Sequence, residues 1–221
     1  GKTLPAKDVT TDKEGIATLD GIPHGTKVTI TEKSVPAPYT IDTIAMTATI
    51  KAGETIFMTS KNTREKGQII LDKTGIETGS DLWNDNYSLA GNTFAIRKDS
   101  PTGEIVQEMT TDEKGHAETP KEIANALELG TYYVTETKAS NGFVNTFKAV
   151  KVELKYANQT VALVTSNIKG QNQEITGETT LIKEDKDTGD KTQGRAVFEG
   201  TEYTLFTAKD GKAVKWSEAF K

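Results

Sequence analysis

Apolar and polar residues alternate over many short segments of this chain. β-Branched and aromatic residues occupy every second position of these segments, a pattern typical of half-buried β-strands. Turn signals separate them, as in Asp12–Gly15 and Asp112–Gly115. Short strands at this spacing predict an all-β fold built of small antiparallel β-sandwiches. The clearest alternating segments are KVTITEK (27–33), TYYVTET (131–137), KAVKVELKY (148–156) and QTVALVTSN (159–167).

Two kinds of segment occur twice in the sequence. TTDKEGIA (10–17) returns as TTDEKGHA (110–117), and each copy is followed by a Gly-containing turn and a further strand. GQIILDK (67–73) returns as GETTLIK (177–183), and each copy is followed by a related aromatic strand. The first pair has the character of the second half of a domain, and the other pair that of its first half. The chain therefore runs second half, first half, second half, first half.

The order of these halves predicts where the domains lie. One complete domain is expected at 67–170, with the C-terminal half of another at 1–66 and the N-terminal half of a third at 177–221. Tandem sandwiches, immunoglobulin-like or prealbumin-like, would then stand end to end. The polar segment Lys169–Thr176 (KGQNQEIT) is interpreted as a linker. We expect the outer halves to be fragments of larger domains or to be completed by another copy of the chain, since each leaves an open sheet edge.

Alternation places three polar side chains, those of Lys73, Glu136 and Asn167, on the apolar faces of their strands. A charged group at the end of a strand commonly extends into solvent. An ion pair between Lys73 and Glu136, with Asn167 beside it, is a second interpretation. The apolar neighbours on these faces are, in the same order, Ile69 with Leu71, Tyr132 with Val134, and Val161 with Leu163.

A third interpretation is covalent and uses all three residue types. A neutral lysine amine can attack the carboxamide of an asparagine and expel ammonia, which leaves an amide between the two side chains. An apolar pocket favours this reaction, because desolvation lowers the pKa of a lysine and raises that of a glutamate. A protonated Glu136 would polarise the carbonyl group of Asn167 and pass protons to the departing ammonia. The protein would be its own substrate, for a single turnover.

The motifs around these residues resemble those of a known family. They are ILDKTG at Lys73, LAGNTFAI, TTDEKGHA, GTYYVTETKAS at Glu136, and VTSN ending at Asn167. Together they resemble the B-type repeat of collagen adhesins (CnaB or SpaA-like), an isopeptide-forming domain of Gram-positive adhesins and pilins. The resemblance implies a bond between Lys73 and Asn167, with Glu136 as acid and base. It also implies a structural stalk or shaft segment of a cell-wall-anchored, extracellular surface protein, and no enzyme.

The duplicated halves carry equivalents of the same three residues. Residues 1–66 contain the acid equivalent Glu32 and the acceptor equivalent Asn62, whereas the later half carries Lys183. We expect these outer halves not to meet within one chain. A second bond, between Lys183 of one chain and Asn62 of another copy, is therefore the form of cross-link predicted for them.

The composition of the 221 residues excludes several classes of function. The net charge of −5 argues against binding to nucleic acid, which selects for basic surfaces. The absence of cysteine excludes disulfides, thiolate nucleophiles and cysteine metal sites. No run approaches the length of a membrane span. We expect no cofactor, and as partners we expect the neighbouring domains of the same surface protein.

Other candidate residues carry weaker signals. His24 and His116 lie in turn-rich segments without a second ligand at metal-binding spacing, so no metal site is predicted. Trp83 and Tyr87, in the segment SDLWNDNYSLAGN, could form a recognition surface or pack against the end of a sandwich. The first possibility is the basis of an alternative function, an adhesin module that binds a host extracellular protein.

Overall fold

The computed structural model of the chain describes residues 4–209 and 212–215. All the regular secondary structure in these residues is β-strand. The described chain divides into two compact units. The first takes in the chain up to Lys66 together with Lys155–Val164, and the second takes in Gly67–Leu154 and the chain from Thr165 onward. The prediction of an all-β fold is confirmed.

The first unit contains one antiparallel strand pair, β1 (Lys27–Ile30) and β2 (Met46–Thr49). Before it lies the turn predicted at Asp12–Gly15, closed by a hydrogen bond of 3.0 Å from the Gly15 N–H to the Asp12 carbonyl. The Asp12 carboxylate also accepts two backbone N–H groups of the turn. The repeated turn at Asp112–Gly115 uses the same contacts, so the sequence repeat is also a structural repeat.

Eleven further strands lie in the described residues. The strands β12 and β13 form an antiparallel hairpin, and the others build two larger sheets. Their bounds are β3 (Lys66–Gly75), β4 (Thr93–Lys98), β5 (Ile105–Thr110), β6 (His116–Glu118), β7 (Leu127–Glu128), β8 (Gly130–Lys138), β9 (Phe143–Val144), β10 (Val150–Leu154), β11 (Leu163–Glu174), β12 (Phe206–Lys209) and β13 (Lys212–Lys215).

Two sheets enclose the core of the second unit. One has the strand order β10–β8–β4–β5, and the other has the order β6–β3–β11–β9, with β7 also paired to β3. Apolar side chains from both sheets are fully buried, which is the arrangement of a β-sandwich with its core between the layers. The central members of this core are Ile69 and Leu71 from β3, Phe94 and Ile96 from β4, and Val134 from β8.

The strands β3 and β11 lie side by side and run parallel. The Lys66 N–H donates to the Ala162 carbonyl, and the Ile76 N–H donates to the Asn172 carbonyl. The acceptor is 96 residues beyond the donor in both pairs, and a constant offset identifies a parallel pairing. The first and last strands of the sandwich are thus neighbours.

The structure corrects two predictions about β11. The segment Lys169–Thr176 is no linker, because β11 continues through it as far as Glu174. The inward face of the strand from Val164 onward carries the even-numbered residues, and Asn167 is exposed on the other face. The predicted facing of Asn167 is therefore wrong, since a shift of one residue exchanges the two faces of a strand.

Replacement of a core residue on a central strand tests this architecture. Ile96→Ala removes a fully buried side chain from β4, and we expect the free energy of unfolding to fall by about 2–5 kcal/mol. Lys98→Ala, at an exposed position of the same strand, is the matched control and should change stability little. Denaturant unfolding measures both. Equal losses in the two variants would contradict the described core.

Candidate functional site

Lys73 lies in the core of the sandwich. Its side chain is only 1% exposed and continues the apolar face of β3. Gly170 on β11 leaves room for the aliphatic stem, since a Cβ at that position would lie 3.3 Å from Cδ of Lys73 and 2.5 Å from the ring of Phe147. The amine is 5.7 Å from the centre of the Phe143 ring and donates to the Thr74 carbonyl at 3.2 Å. A lysine amine is thus held among apolar groups.

Glu136 and Asn172 form a hydrogen-bonded pair in the same core. The Nδ2 group of Asn172 donates to both carboxylate oxygens of Glu136, at 2.8 and 2.9 Å. Asn172 is fully buried on β11, and Glu136 is half-buried on β8 of the opposite sheet. The Oδ1 atom of Asn172 accepts the Thr146 N–H at 3.2 Å. Both ends of the carboxamide are therefore fixed by hydrogen bonds.

The parallel pairing of β3 with β11 brings the lysine strand beside the asparagine strand. Besides the Ile76 N–H bond to the Asn172 carbonyl, the side chain of Gln171 donates to the Gly75 carbonyl at 3.3 Å. Lys73, Gly170 and Asn172 all point into the space between the sheets. Glu136 enters the same space from β8, so an amine, a carboxamide and an acid face one core.

Burial shifts the pKa values of the two ionisable groups toward their neutral forms. Loss of solvent lowers the pKa of Lys73 to about 8, although the carboxylates of Glu136 and Glu174 act in the opposite direction. Loss of solvent also raises the pKa of Glu136, against the hydrogen bond from Asn172 and the charge of Lys73. Burial therefore makes the uncharged form of each group easier to reach than it is in water.

The structure brings Lys73 and Glu136 together, and places Asn172 beside Glu136 where Asn167 had been expected. The repeat contained a signal for this. Asn62 precedes Lys73 by 11 residues, and Asn172 precedes Lys183 by 11 residues. The shared TS letters before Asn62 and Asn167 favoured a different alignment. The segment KGQNQE was interpreted as a linker because it is polar, although it is the end of strand β11.

A second pair of the same kind occurs in the first unit. The Nδ2 group of Asn62 donates to the carboxylate of Glu32 at 2.6 Å and to the Thr40 carbonyl at 3.0 Å. The Asp42 N–H donates to the same oxygen of Glu32 at 2.6 Å. The predicted acid and acceptor equivalents are thus in contact. Lys183, the lysine equivalent, is exposed, and its amine donates to the Glu184 carbonyl at 2.7 Å.

Trp83 and Tyr87 pack on one another and on the site. Their rings meet edge to face at 5.3 Å, and Tyr87 meets Phe143 in the same way at 5.8 Å. The hydroxyl group of Tyr87 donates to the Ile175 carbonyl at 2.6 Å, just beyond the end of β11. Both side chains are half-buried. These are packing contacts, and through Tyr87 they cover the Phe143 wall of the lysine site, while the recognition surface stays a prediction.

The two histidines take part in local contacts. His24 accepts the Ala52 N–H through Nδ1 at 3.0 Å, and His116 contacts Asp72 at 2.9 Å. This contact with Asp72 raises the pKa of His116. Residues 4–209 and 212–215 contain no cluster of three His, Cys, Asp or Glu side chains arranged for a metal ion. No helix within that described part of the chain has the length and apolar character to cross a membrane.

Comparison with known proteins agrees with this sandwich. The family described as SpaA, prealbumin-like fold domain, matches residues 1–64 and again 67–169. The chain belongs to this SpaA family. Its two matched segments carry the pair Glu32 and Asn62 and the pair Lys73 and Glu136, respectively, while Asn172 lies just beyond the second match. No curated protein sequence matches the chain.

Several solved structures resemble this SpaA-family chain. The Bacillus anthracis TIE protein is 28% identical with a TM-score of 0.55, over 75% of this chain and 28% of its own. A variant of BcpA, the major pilin subunit of Bacillus cereus, is 27% identical with a TM-score of 0.32, over 48% and 29%. The Corynebacterium diphtheriae major pilin SpaA is 21% identical with a TM-score of 0.34, over 51% and 31%. The chain thus spans less than a third of each of these proteins.

Titration of Lys73 in a chain without its acceptor tests the electrostatics of the site. In Asn172→Ala we expect the amine to titrate near pH 8, measured by NMR of the lysine ε-methylene group. The unfolded lysine keeps its proton up to about pH 10.5, so the unfolded state binds more protons between pH 8 and that value. The free energy of unfolding should therefore rise with pH across this interval. Lys73→Met in the same background should abolish that rise. An amine that titrates near 10.5 would contradict the described burial.

Proposed function

We propose that this chain is a structural segment of a Gram-positive surface protein or pilin, stabilised by an isopeptide bond between Lys73 and Asn172. The observation that carries the proposal is the hydrogen-bonded pair of half-buried Glu136 with buried Asn172, set in the core that also buries Lys73. A lysine, a glutamate and an asparagine together in a core do not favour stability, because buried polar groups destabilise a fold unless they are fully paired. A reaction between them gives a reason for their presence.

The proposed reaction joins two side chains and releases ammonia. The neutral amine of Lys73 attacks Cγ of Asn172, and a C–N bond forms while the carbonyl oxygen takes the negative charge. Glu136 donates its proton to Nδ2 of Asn172 and recovers one from the attacking nitrogen. The Cγ–Nδ2 bond then breaks and Nδ2 leaves as ammonia. One proton moves from the amine to the leaving group, so Glu136 ends in its initial state.

The geometry supports these roles for the acid and for a backbone donor. The leaving nitrogen is the atom that contacts the Glu136 carboxyl group, at 2.8 and 2.9 Å. The Thr146 N–H contacts the oxygen on which negative charge would develop, at 3.2 Å. A fixed donor at this place stabilises an oxyanion, and its effect is larger where water is excluded. The aromatic rings of Phe94, Phe143 and Phe147 supply that exclusion.

Such a bond suits a protein that has to resist unfolding without disulfides. It would close a loop from residue 73 to residue 172, which is nearly the whole domain. A disulfide that closes a loop of about 100 residues contributes about 4.7 kcal/mol in the chain-entropy treatment. An amide would act similarly and is not reduced by thiols. Membership of the SpaA family supports a structural role at the cell surface rather than turnover of an external substrate, and an extracellular, wall-anchored location is part of the proposal.

Intact mass spectrometry tests the proposed bond. We expect the folded chain to be lighter than its sequence mass by one molecule of ammonia. Lys73→Ala, Asn172→Ala and Glu136→Ala should each show the full mass, because each removes a reacting or proton-transferring group. The full mass in the folded, unsubstituted chain would overturn the proposal.

Two exposed residues provide matched controls. Asn167→Ala lies on the same strand as Asn172 but faces outward, and Lys138→Ala lies on the same strand as Glu136. Both variants should lose ammonia as the unsubstituted chain does. Retention of full mass in Asn167→Ala alone would instead favour the acceptor indicated by the sequence pattern.

We further propose that the Glu32 and Asn62 pair accepts Lys183 from a second copy of the chain. Residues that match the buried face of the central domain are exposed around Lys183. The segment FEGTEY, which ends at Tyr203, matches LAGNTF, which ends at Phe94. Tyr203 is 58% exposed, although Phe94 is fully buried, and Leu181 is 61% exposed. An uncovered apolar face of this kind favours association with a complementary half-domain.

Denaturing gel electrophoresis tests this second bond. Concentrated chain should give ladders that survive boiling, and either Lys183→Ala or Asn62→Ala should abolish them. Lys186→Ala, also exposed and three residues further along, is the control and should keep the ladders. A monomer band alone at high concentration would rule out the covalent link.

A further inference from the structure

Glu174 is a buried carboxylate that the proposed reaction does not use. It lies at the end of β11, two residues beyond Asn172 on the same face, and is 2% exposed. Its carboxylate accepts the Glu77 N–H at 3.1 and 3.2 Å, the Thr78 N–H at 2.8 Å and the Thr78 hydroxyl group at 2.8 Å. These donors all belong to the turn that follows β3.

The ionised form of Glu174 is favoured by these contacts. Burial acts against it, but the hydrogen bonds from Thr78 and Glu77 outweigh burial and lower the pKa of this carboxyl group. Charge-assisted hydrogen bonds to backbone N–H groups are among the strongest in proteins. The turn and the end of β11 are therefore held firmly together.

In the later copy of this turn, the carboxylate that closes it comes from the turn itself. An isolated bridge joins Gly75 to Gly79, and the equivalent bridge joins Asp185 to Gly189. In the later copy, the Asp185 carboxylate accepts the N–H groups of residues 187 and 188, at 2.8 and 3.1 Å. These correspond to the N–H groups of residues 77 and 78, which Glu174 binds.

In the central domain, the carboxylate that binds this turn therefore comes from the neighbouring strand, whereas in the later copy it comes from the turn itself. Gly75 stands where the later copy has Asp185. A Cβ at Gly75 would collide with Oε1 of Glu174, so glycine is what allows the carboxylate of β11 to enter the turn. The exchange replaces a contact within one turn by a contact between the turn after β3 and the end of β11, 96 residues further along the chain.

The two strands joined in this way are those that carry the reacting groups. Lys73 lies two residues before Gly75, and Asn172 lies two residues before Glu174, each on the inward face. A slip of β11 by one residue would turn Asn172 outward and leave an odd-numbered residue in its place. A contact that fixes the strand ends would hold amine and carboxamide in register.

We propose that Glu174 is a positioning residue, a cross-strand latch that sets the register of the Lys73 strand against the Asn172 strand for bond formation. The inference rests on the isopeptide bond proposed above. It assigns Glu174 no proton transfer. Its role is proximity, for which a misplacement of about 1 Å can cost about 100-fold in rate.

The rate of ammonia loss tests the latch. Short cell-free synthesis of the chain, followed by an acid quench at timed intervals and intact mass measurement, gives the rate of bond formation. We expect Glu174→Ala to slow it by about tenfold or more. Glu174→Gln keeps the shape of the side chain and one acceptor oxygen. Its rate of ammonia loss should lie between the rates of the unsubstituted chain and of Glu174→Ala. Ammonia loss in Glu174→Ala at the unsubstituted rate would overturn the inference.

The double variant Gly75→Asp with Glu174→Ala separates positioning from turn closure. It restores the local carboxylate of the later copy but no tie to β11. In Asn172→Ala backgrounds, where no bond forms, hydrogen exchange at the amides of Glu77 and Thr78 should be fast with Glu174→Ala and slow again with the double change. The rate of bond formation in the reactive double variant should nevertheless stay low. Its return to the unsubstituted rate would show that Glu174 only closes the turn.

The same measurements distinguish failure of the latch from failure of the bond. If the unsubstituted chain never loses ammonia, the proposed bond is wrong and the positioning role falls with it. If the unsubstituted chain reacts and Glu174→Ala reacts equally fast, the bond stands and only the latch is wrong.

Discussion

The burial of the Lys73 amine is the constraint on which the rest of this sandwich depends. Removing a charged amine from water is costly, so the groups around it have to favour the neutral form or neutralise the charge. The aromatic rings and Gly170 shape an apolar sleeve for the lysine stem, and Glu136 lies across the core from the opposite sheet. The same desolvation that destabilises the ammonium makes the amine a nucleophile, so the energetic cost and the proposed chemistry have one cause.

The parallel pairing of the first and last strands gives this core its geometry. Because β3 and β11 are adjacent, a bond between them would connect residues almost a whole domain apart in sequence. Parallel neighbours also present their inward residues in step, so Lys73 and Asn172 lie on one face. Glu174 adds a fixed point at the end of this pair. Register, rather than proximity along the chain, therefore decides which side chains meet.

Two kinds of contact occur twice in the chain, one in the Asp-led turns and one between a glutamate and an asparagine. The Asp-led turns at Asp12 and Asp112 have the same hydrogen bonds, so their similarity reflects turn formation alone. The Glu–Asn contact also occurs twice, although Asn62 is only half-buried whereas Asn172 in the central domain is fully buried. Because the Glu–Asn contact recurs in both units, it belongs to the repeat itself. The two copies differ in burial, and the more buried copy is the one in the domain that also buries Lys73.

The sequence by itself determined the all-β fold, the repeated halves and the inward facing of Lys73 and Glu136, because alternation over a short strand depends only on local order. It did not determine the acceptor. Asn167 and Asn172 are five residues apart and so lie on opposite faces of one strand, and the choice between them depends on where β11 pairs with β3. The polar residues at the end of β11 are strand because β3 with its turn on one side and β9 on the other supply their partners. The pairing with β3 is made within one sheet but by residues about a hundred positions away, so only the tertiary structure decided it.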